Sequence, residues 1–249
     1  MSTFNLLKAR LAQGHRTQKL PSADAHLPER YRGRPVLNGA KCPPGCDACA
    51  TACPTGAVTV DPLRVDLGAC LFCPACGDAC GHGALRYGSE WRMARRRRDE
   101  LIADGAPAAF ADALEARARK LFRRSLKLRE VSAGGCNGCE VEINVTGTVV
   151  FDLGRFGIQF VASPRHADGL VITGPVTANM RQALLDTWDA TPSPRIAIAV
   201  GSCAIAGGPF AGSPHCLGIP AEIPIDLFIP GCPPHPWTFV DGLLRLLGR

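Results

Sequence analysis

Ile196-Ala197-Ile198-Ala199-Val200-Gly201-Ser202-Cys203 is an unbroken apolar run that ends at once on a glycine, a serine and a cysteine. A short run that is apolar at every position, rich in β-branched residues and closed by glycine, fits a strand buried on both faces. The same pattern recurs around it. Leu126-Lys127-Leu128-Arg129-Glu130-Val131 alternates and leads into Gly134-Gly135-Cys136-Asn137-Gly138-Cys139. Ile225-Asp226-Leu227-Phe228-Ile229 leads into Pro230-Gly231-Cys232-Pro233-Pro234. Two further strands are expected at Ile158–Ala162 and Leu170–Thr173, and helices at 140–153 and around Asn179–Thr187. Apolar strands alternating with helices predict a parallel α/β sheet over residues 125–249. Open α/β sheets bind ligands outside the carboxyl ends of their strands. Cys136, Cys139, Cys203 and Cys232 all fall there, from three separate strands, and are expected to form one four-thiolate site. Gly135, Gly138, Gly201 and Gly231 would let backbone amides approach it.

The other cysteines lie in the first third of the chain. Cys42-x3-Cys46-x2-Cys49-x3-Cys53-Pro54 precedes a short strand at Thr55–Val60, and Cys70-x2-Cys73-x2-Cys76-x3-Cys80 precedes another at Gly81–Tyr87. This is an internal repeat. Three cysteines on a tight loop reach three corners of a cubane, and the chain then turns away so that the fourth ligates the other cluster. One cluster is thereby expected on Cys42, Cys46, Cys49 and Cys80, and a second on Cys53, Cys70, Cys73 and Cys76. Small residues between the ligands (Ala48, Ala50, Ala75, Gly77, Ala79) leave room for N–H groups beside the sulfurs. Zinc is the competing metal, but it favours C-x-x-C pairs with a longer gap between them. Residues 36–88 resemble bacterial two-cluster ferredoxins, which implies an α+β ferredoxin-like domain. Two departures stand out: the Cys42–Cys46 interval, filled by Pro43-Pro44-Gly45, is one residue longer than usual, and Gly81 follows Cys80 in place of proline.

Thirteen cysteines in 249 residues set the class of the protein. The first ten residues show no apolar signal segment, so reduced, metal-binding thiols are expected in place of disulfides. The longest apolar run, Ile196–Phe210, is broken by glycines and a proline and falls short of a membrane span. Residues 1–130 hold 22 Lys+Arg against 13 Asp+Glu, whereas residues 131–249 hold 6 against 9. A basic front half points to an acidic partner, an anionic lipid surface or nucleic acid. Residues 4–16 predict an amphipathic helix with Phe4, Leu7 and Leu11 on one face, either packed on its own domain or lying on a membrane or membrane subunit. Residues 17–37 read as an extended arm. The division expected is a helix and arm (1–35), a two-cluster domain (36–88), a basic helical linker (89–124) and the α/β domain (125–249). In the linker, Arg92 and Arg95–Arg98 are read as a solvated face, with lipid or an acidic subunit as alternatives. The absence of interleaved aromatics argues against nucleic acid. Cys216 is expected to be a free buried thiol, and His166 and His215 to be loop or core residues.

Residues 125–249 resemble the small electron-transfer subunit shared by nickel–iron hydrogenases and respiratory complex I. The matching segments are Gly135–Cys139, Ser163–Asp168, Thr173–Thr177, Gly201–Cys203 with Gly207-Gly208, and Pro230–Pro234. The nearest resemblance is to membrane-bound, energy-converting hydrogenases of the formate hydrogenlyase type. It implies a flavodoxin-like domain with one 4Fe–4S cluster, docked on a large subunit that holds nickel–iron or, in complex I, a quinone site. Complex I members carry adjacent cysteines at the first position, so Cys136-x-x-Cys139 favours the hydrogenase branch. Residues 1–88, with Arg30–Leu37, look like the ferredoxin subunit of the same complexes, here fused. The resemblance implies three 4Fe–4S clusters, an oxidoreductase complex at the cytoplasmic face of a membrane, further membrane subunits and a separate electron donor. Glu140 and Glu142 are candidates for relaying protons, against the alternative of carboxylates on an exposed first helical turn. The competing functions are a nickel-free, quinone-linked complex and a non-redox metal protein that binds nucleic acid.

Overall fold

The computed structural model describes residues 3–19, 27–107, 110–122 and 124–249. Part of the expected arm (20–26) and part of the expected linker helix (108, 109 and 123) lie outside the described residues. Helix α1 (Thr3–Gln13) matches the predicted amphipathic segment and buries none of its residues; Leu7 and Leu11 are 60% and 83% exposed.

The cysteine repeat builds two small antiparallel sheets. Strand β1 (Pro35–Leu37) precedes the first run, which closes on the short helix α2 (Ala48–Thr51). Strands β2 (Val58–Val60) and β3 (Leu63–Asp66) follow as a hairpin. The second run closes on α3 (Ala75–Ala79), and β4 (Leu85–Tyr87) returns to pair with β1. Strand β5 (Ile102–Ala103) completes the β2–β3 sheet. It lies inside the stretch read as a helical linker. That linker is corrected: within it, α4 (Ala116–Phe122) is the only α-helix among the described residues. Its high Ala, Leu and Arg content raises helix propensity, but propensity is a weak prior that pairing with β3 overrides.

From Leu126 the chain is α/β. Strand β6 (Leu126–Ser132), helix α5 (Gly138–Val145), strands β7 (Ile158–Phe160) and β8 (Gly169–Thr173), helix α6 (Ala178–Ala190), strand β9 (Ile196–Val200), helix α7 (Ser202–Ala206), strand β10 (Leu227–Ile229) and helix α8 (Pro236–Leu246) follow in order. The five strands pair in parallel in the spatial order β10-β9-β8-β6-β7. Counted within the domain this is 2-1-3-4-5, a common doubly wound order. Every residue of β8 and β9 is buried, as the unbroken apolar runs predicted. Leu170, Ile172 and Ala197 pack with Leu184 and Trp188 of α6 on one face. Val171, Ile196, Ile198 and Val200 pack with Phe239, Leu243 and Leu244 of α8 on the other. Each of the Val, Leu, Ile and Phe side chains contributes about 1.5–3 kcal/mol through burial.

The arginine run joins the two halves. Arg95 pairs its backbone with Phe228 in both directions, N–H to carbonyl at 2.9 and 2.8 Å, and so covers the edge strand β10. Its side chain is 3% exposed and donates to the Ala94 carbonyl at 2.6 Å. Arg96 donates to the Ala113 and Asp226 carbonyls. Arg98 forms a two-pronged pair with Asp66, at 2.8 and 2.5 Å. Arg97 alone is mostly solvent-facing, beside Asp99 and Glu100. The solvated-face reading of this run is therefore corrected: the Arg96 and Arg98 cations meet carbonyls and a carboxylate from elements distant in sequence, and the buried Arg95 cation meets carbonyls of its own segment. Behind it, Trp91 packs against Trp237 and Phe151, and Thr238 Oγ1 donates to the Trp91 carbonyl at 2.8 Å. A Cβ on Gly242 of α8 would come within 2.8 Å of Ala94 Cβ, so glycine lets the joining segment lie directly on the helix.

Candidate metal centres

Among the described residues all thirteen cysteines are free. Their mutual electrostatics divide twelve of them into three groups. In the first, burial raises the Cys42 thiol, and the charges of Cys46 and Cys80 raise it further. Burial raises Cys49 too, followed by Cys80 and Cys42. Burial opposes ionisation of Cys80, but the N–H groups of Leu85, Ala84, His82 and Gly83 outweigh it and lower that thiol.

In the second group, burial pushes Cys70 up to about 11. The Phe72 N–H, 3.3 Å from its sulfur, and the Tyr87 hydroxyl oppose that shift, while Cys76 and Cys53 add to it. Cys76 is raised by burial, relieved by Tyr87, and raised again by Cys53 and Cys73. The Ala57 N–H donates to Cys53 Sγ at 3.2 Å. The Cys80 charge thus acts on Cys42 and Cys49 of the first run, and the Cys53 charge on Cys70 and Cys76 of the second.

The third group stands at the carboxyl ends of the sheet. Cys136 follows β6 after a Gly134-Gly135 turn, in which a Cβ on Gly135 would sit 3.0 Å from Gly174 Cα at the end of β8. Cys139 lies in the first turn of α5, Cys203 in α7 and Cys232 in the turn after β10. Burial raises Cys139, and Glu140, Cys203, Cys232 and Cys136 raise it further. Cys203 is pushed up to about 11 by burial, then by Cys232, Cys136, Cys216 and Glu140. Gly201, at φ +87°, is where a side chain would fail: a Cβ there would meet Cys139 Sγ at 2.5 Å. Cys136 and Cys232 are exposed.

Burial and neighbouring charge disfavour the thiolates of Cys42, Cys49, Cys70, Cys76, Cys139, Cys203 and Cys232, and a cationic core would relieve that. Four sulfurs per group, amide donors to Cys53, Cys70 and Cys80, and a glycine clearing space beside Cys139 fit a cubane iron–sulfur core. No three or more His, Cys, Asp or Glu side chains among the described residues close around one point as a single metal ion requires. The proximity reported by mutual charge is looser than that. Charge also acts from one group to the next. Cys76 of the second acts on Cys49 of the first, and Cys73 of the second acts on Cys232 of the third.

Other residues emerge only from the structure. Tyr87 ends β4 with its hydroxyl 3.4 Å from Cys76 Sγ and 3.6 Å from Cys70 Sγ. Burial first, and then the Cys70 charge, hold its proton in place, so it serves as a donor to sulfur. Glu140 is 7% exposed, not a carboxylate on an open helical turn. Burial alone would raise it, but hydrogen bonds from Ser132 and Thr173, the latter at 2.6 Å, lower it. Glu142 is half-buried, and burial raises it. Glu130, whose Oε1 is buried without a partner, is pushed up to about 7 by burial and then by Glu140; the two share the wall of one cavity. Cys216, expected to be buried, is half-buried, and donates to the Pro175 carbonyl at 3.4 Å. It sits near Cys203, because the β9–β10 connection folds back as a bridge between Thr177 and Cys216. His166 and His215 are exposed in turns. No helix among the described residues is long and apolar enough to cross a membrane.

Residues 136–246 match the family described as NADH ubiquinone oxidoreductase, 20 Kd subunit. Formate hydrogenlyase subunit 7 of Escherichia coli is 45% identical over 131 residues, 52% of this chain and 51% of that protein. This chain therefore spans only about half the length of that relative. A probable membrane-bound hydrogenase subunit of Pyrococcus furiosus is 41% identical over 132 residues, 52% of this chain and 78% of that protein. An NADH-quinone oxidoreductase subunit of Desulfovibrio desulfuricans is 43% identical over 108 residues, 43% of this chain and 59% of that protein. These are names of subunits of oxidoreductase complexes, and the family match falls within the doubly wound domain with its rim of cysteines. On that likeness, the chain belongs to the family of the NADH ubiquinone oxidoreductase 20 Kd subunit.

Proposed function

We propose that the chain is the iron–sulfur electron-transfer subunit of a membrane-associated hydrogenase complex. It would relay electrons between a donor and a nickel–iron large subunit through three 4Fe–4S clusters. The ligands would be Cys42, Cys46, Cys49 and Cys80 for the first, Cys53, Cys70, Cys73 and Cys76 for the second, and Cys136, Cys139, Cys203 and Cys232 for the third. The N-terminal half would be a fused two-cluster ferredoxin-like domain. One observation supports the reading: the cysteine charges that act on Cys42, Cys49, Cys70, Cys76, Cys139 and Cys203 come mainly from the other cysteines of the same expected set, with Cys76 acting on Cys49 and Cys73 on Cys232 between sets. Bound clusters supply reversible one-electron transfer. The chain's own residues would hold the sulfurs, donate N–H and Tyr87 O–H to them and bury Cys49, Cys70 and Cys76. Nothing in this role requires bond-making. Glu140, tied to Ser132 and Thr173, anchors the ends of β6 and β8; Glu142 retains the proton-carrying role proposed for the pair.

The second reading is a complex I-like, quinone-linked complex without nickel, favoured by the family's name and by the Desulfovibrio relative. The Cys136-x-x-Cys139 spacing supports the hydrogenase branch. A nucleic-acid role loses its main support once Arg95, Arg96 and Arg98 are engaged within the chain. Metal analysis of the complex purified through this chain is the test. Iron with nickel supports the hydrogenase reading, iron without nickel the quinone-linked one, and zinc contradicts both.

A further inference from the structure

Ser202 is 1% exposed, and its hydroxyl lies 2.6 Å from the Cys70 carbonyl oxygen and 3.1 Å from that of Gly231. It begins α7 but caps nothing there, since the cap position is Gly201 and no side-chain cap bond is formed. Alanine would suit a buried helical position better, so the hydroxyl owes its place to its acceptors. Those acceptors are informative. Cys70 belongs to the second cysteine group, Gly231 adjoins Cys232 of the third, and Ser202 itself adjoins Cys203 of the third. One hydroxyl therefore touches the backbone of three ligand-bearing loops across the junction of the two halves. The contact is close on all sides. The Ser202 N–H also donates to the Gly231 carbonyl at 2.9 Å. A Cβ on Gly68 would lie 2.7 Å from Ile205 Cγ2 and 2.9 Å from Arg98 Cζ, so α7 rests directly on the turn that leads into Cys70.

Building on the relay reading, we propose that Ser202 is a positioning residue. Its hydroxyl locks the Cys70 loop onto the Cys203 and Cys232 segments, and gives a bonded route between the second and third groups: Cys70 carbonyl, Ser202 hydroxyl, Ser202 backbone, Cys203. In a transfer along it, one electron leaves the second site, which is oxidised, and arrives at the third, which is reduced; Ser202 keeps its proton and changes neither charge nor redox state. The side chain is a bridge and not a ligand, so Ser202→Ala should leave cluster content intact.

The experiment compares wild type and Ser202→Ala for iron and sulfide content, for amide hydrogen exchange over residues 68–73, and for the rate at which the third site is reduced after rapid reduction of the first two. The expected result is unchanged iron, faster exchange, and a rate lower by about tenfold, the low end of what losing an outer-shell partner of a metal site costs. Wild-type exchange and rate in an iron-replete variant overturn the proposal. Loss of iron in the variant overturns it as well, because the hydroxyl would then serve assembly and not bridging. A wild-type chain without iron contradicts the relay reading itself, which separates that failure from this one.

Discussion

Residues 35–107 form two small antiparallel sheets whose interior is partly sulfur, with Cys49, Cys70 and Cys76 buried beside Leu67, Leu85 and Leu101. Residues 124–249 form a five-stranded parallel sheet with apolar side chains packed on both faces and cysteines confined to its rim. In the first region the strands are two to four residues long, and the thiols that would ligate metal are themselves core. On the proposed function a metal core would replace part of the apolar interior, so metal binding and folding would be coupled there. In the second region the sheet supplies its own burial and positions four cysteines as a consequence. On the proposed function, clusters would thus support the fold at one end and be held by it at the other.

Removing the iron should separate the two regions most clearly. In the metal-free chain, amides of β1 to β5 should lose their hydrogen-exchange protection, while those of β8 and β9 keep theirs. Equal loss in both regions would make the parallel sheet as metal-dependent as the repeat. Next in size is Ile198→Ala in the centre of β9, where a fully buried side chain is cut back. It should cost about 2–5 kcal/mol in denaturant unfolding of the parallel sheet and leave cluster content unchanged.

Tyr87→Phe probes the contrast from the other side, because Tyr87 is a donor to sulfur that the third group lacks. A hydrogen bond to sulfur favours the reduced, more negative state. Its loss, about 0.5–1.5 kcal/mol, should lower the potential of the second cluster by about 20–60 mV for a one-electron couple, read by redox titration with EPR detection. An unchanged potential would reduce Tyr87 to a packing residue.

The smallest effect belongs to Glu130. The folded chain holds its proton up to about pH 7, whereas the unfolded chain releases it near 4.5. The folded state then binds more protons between those values, so the contribution is fully present below pH 4.5 and is lost as pH rises through 7. Thermal unfolding of the parallel sheet should therefore weaken from pH 5 to pH 8, and Glu130→Gln should flatten that slope. A slope that persists in the variant would place its origin elsewhere.

The positions of the cysteines were legible in the sequence because ligand spacing within a loop is local, and because Gly-x-Cys at the end of an apolar run marks the end of a strand. The sheet was legible for the same reason: β8 and β9 are unbroken apolar runs. What joins the halves was not. Arg98 finds Asp66, 32 residues away, and Arg95 pairs with Phe228 on an edge strand, so a basic run that looks solvated by itself is engaged in three dimensions. Strand β5 is two residues long, too short to show alternation, and exists because β3 offers it an edge. Tyr87 and Ser202 carry no spacing signal, since each meets its partners only when two loops are brought together.

The proposed relay requires three four-cysteine clusters held in series by this one chain. Iron and acid-labile sulfide, counted per chain on protein purified without oxygen, decide the matter. Three filled clusters give about twelve of each. About eight would leave the third group unfilled, and zinc in place of iron and sulfide would contradict the relay outright.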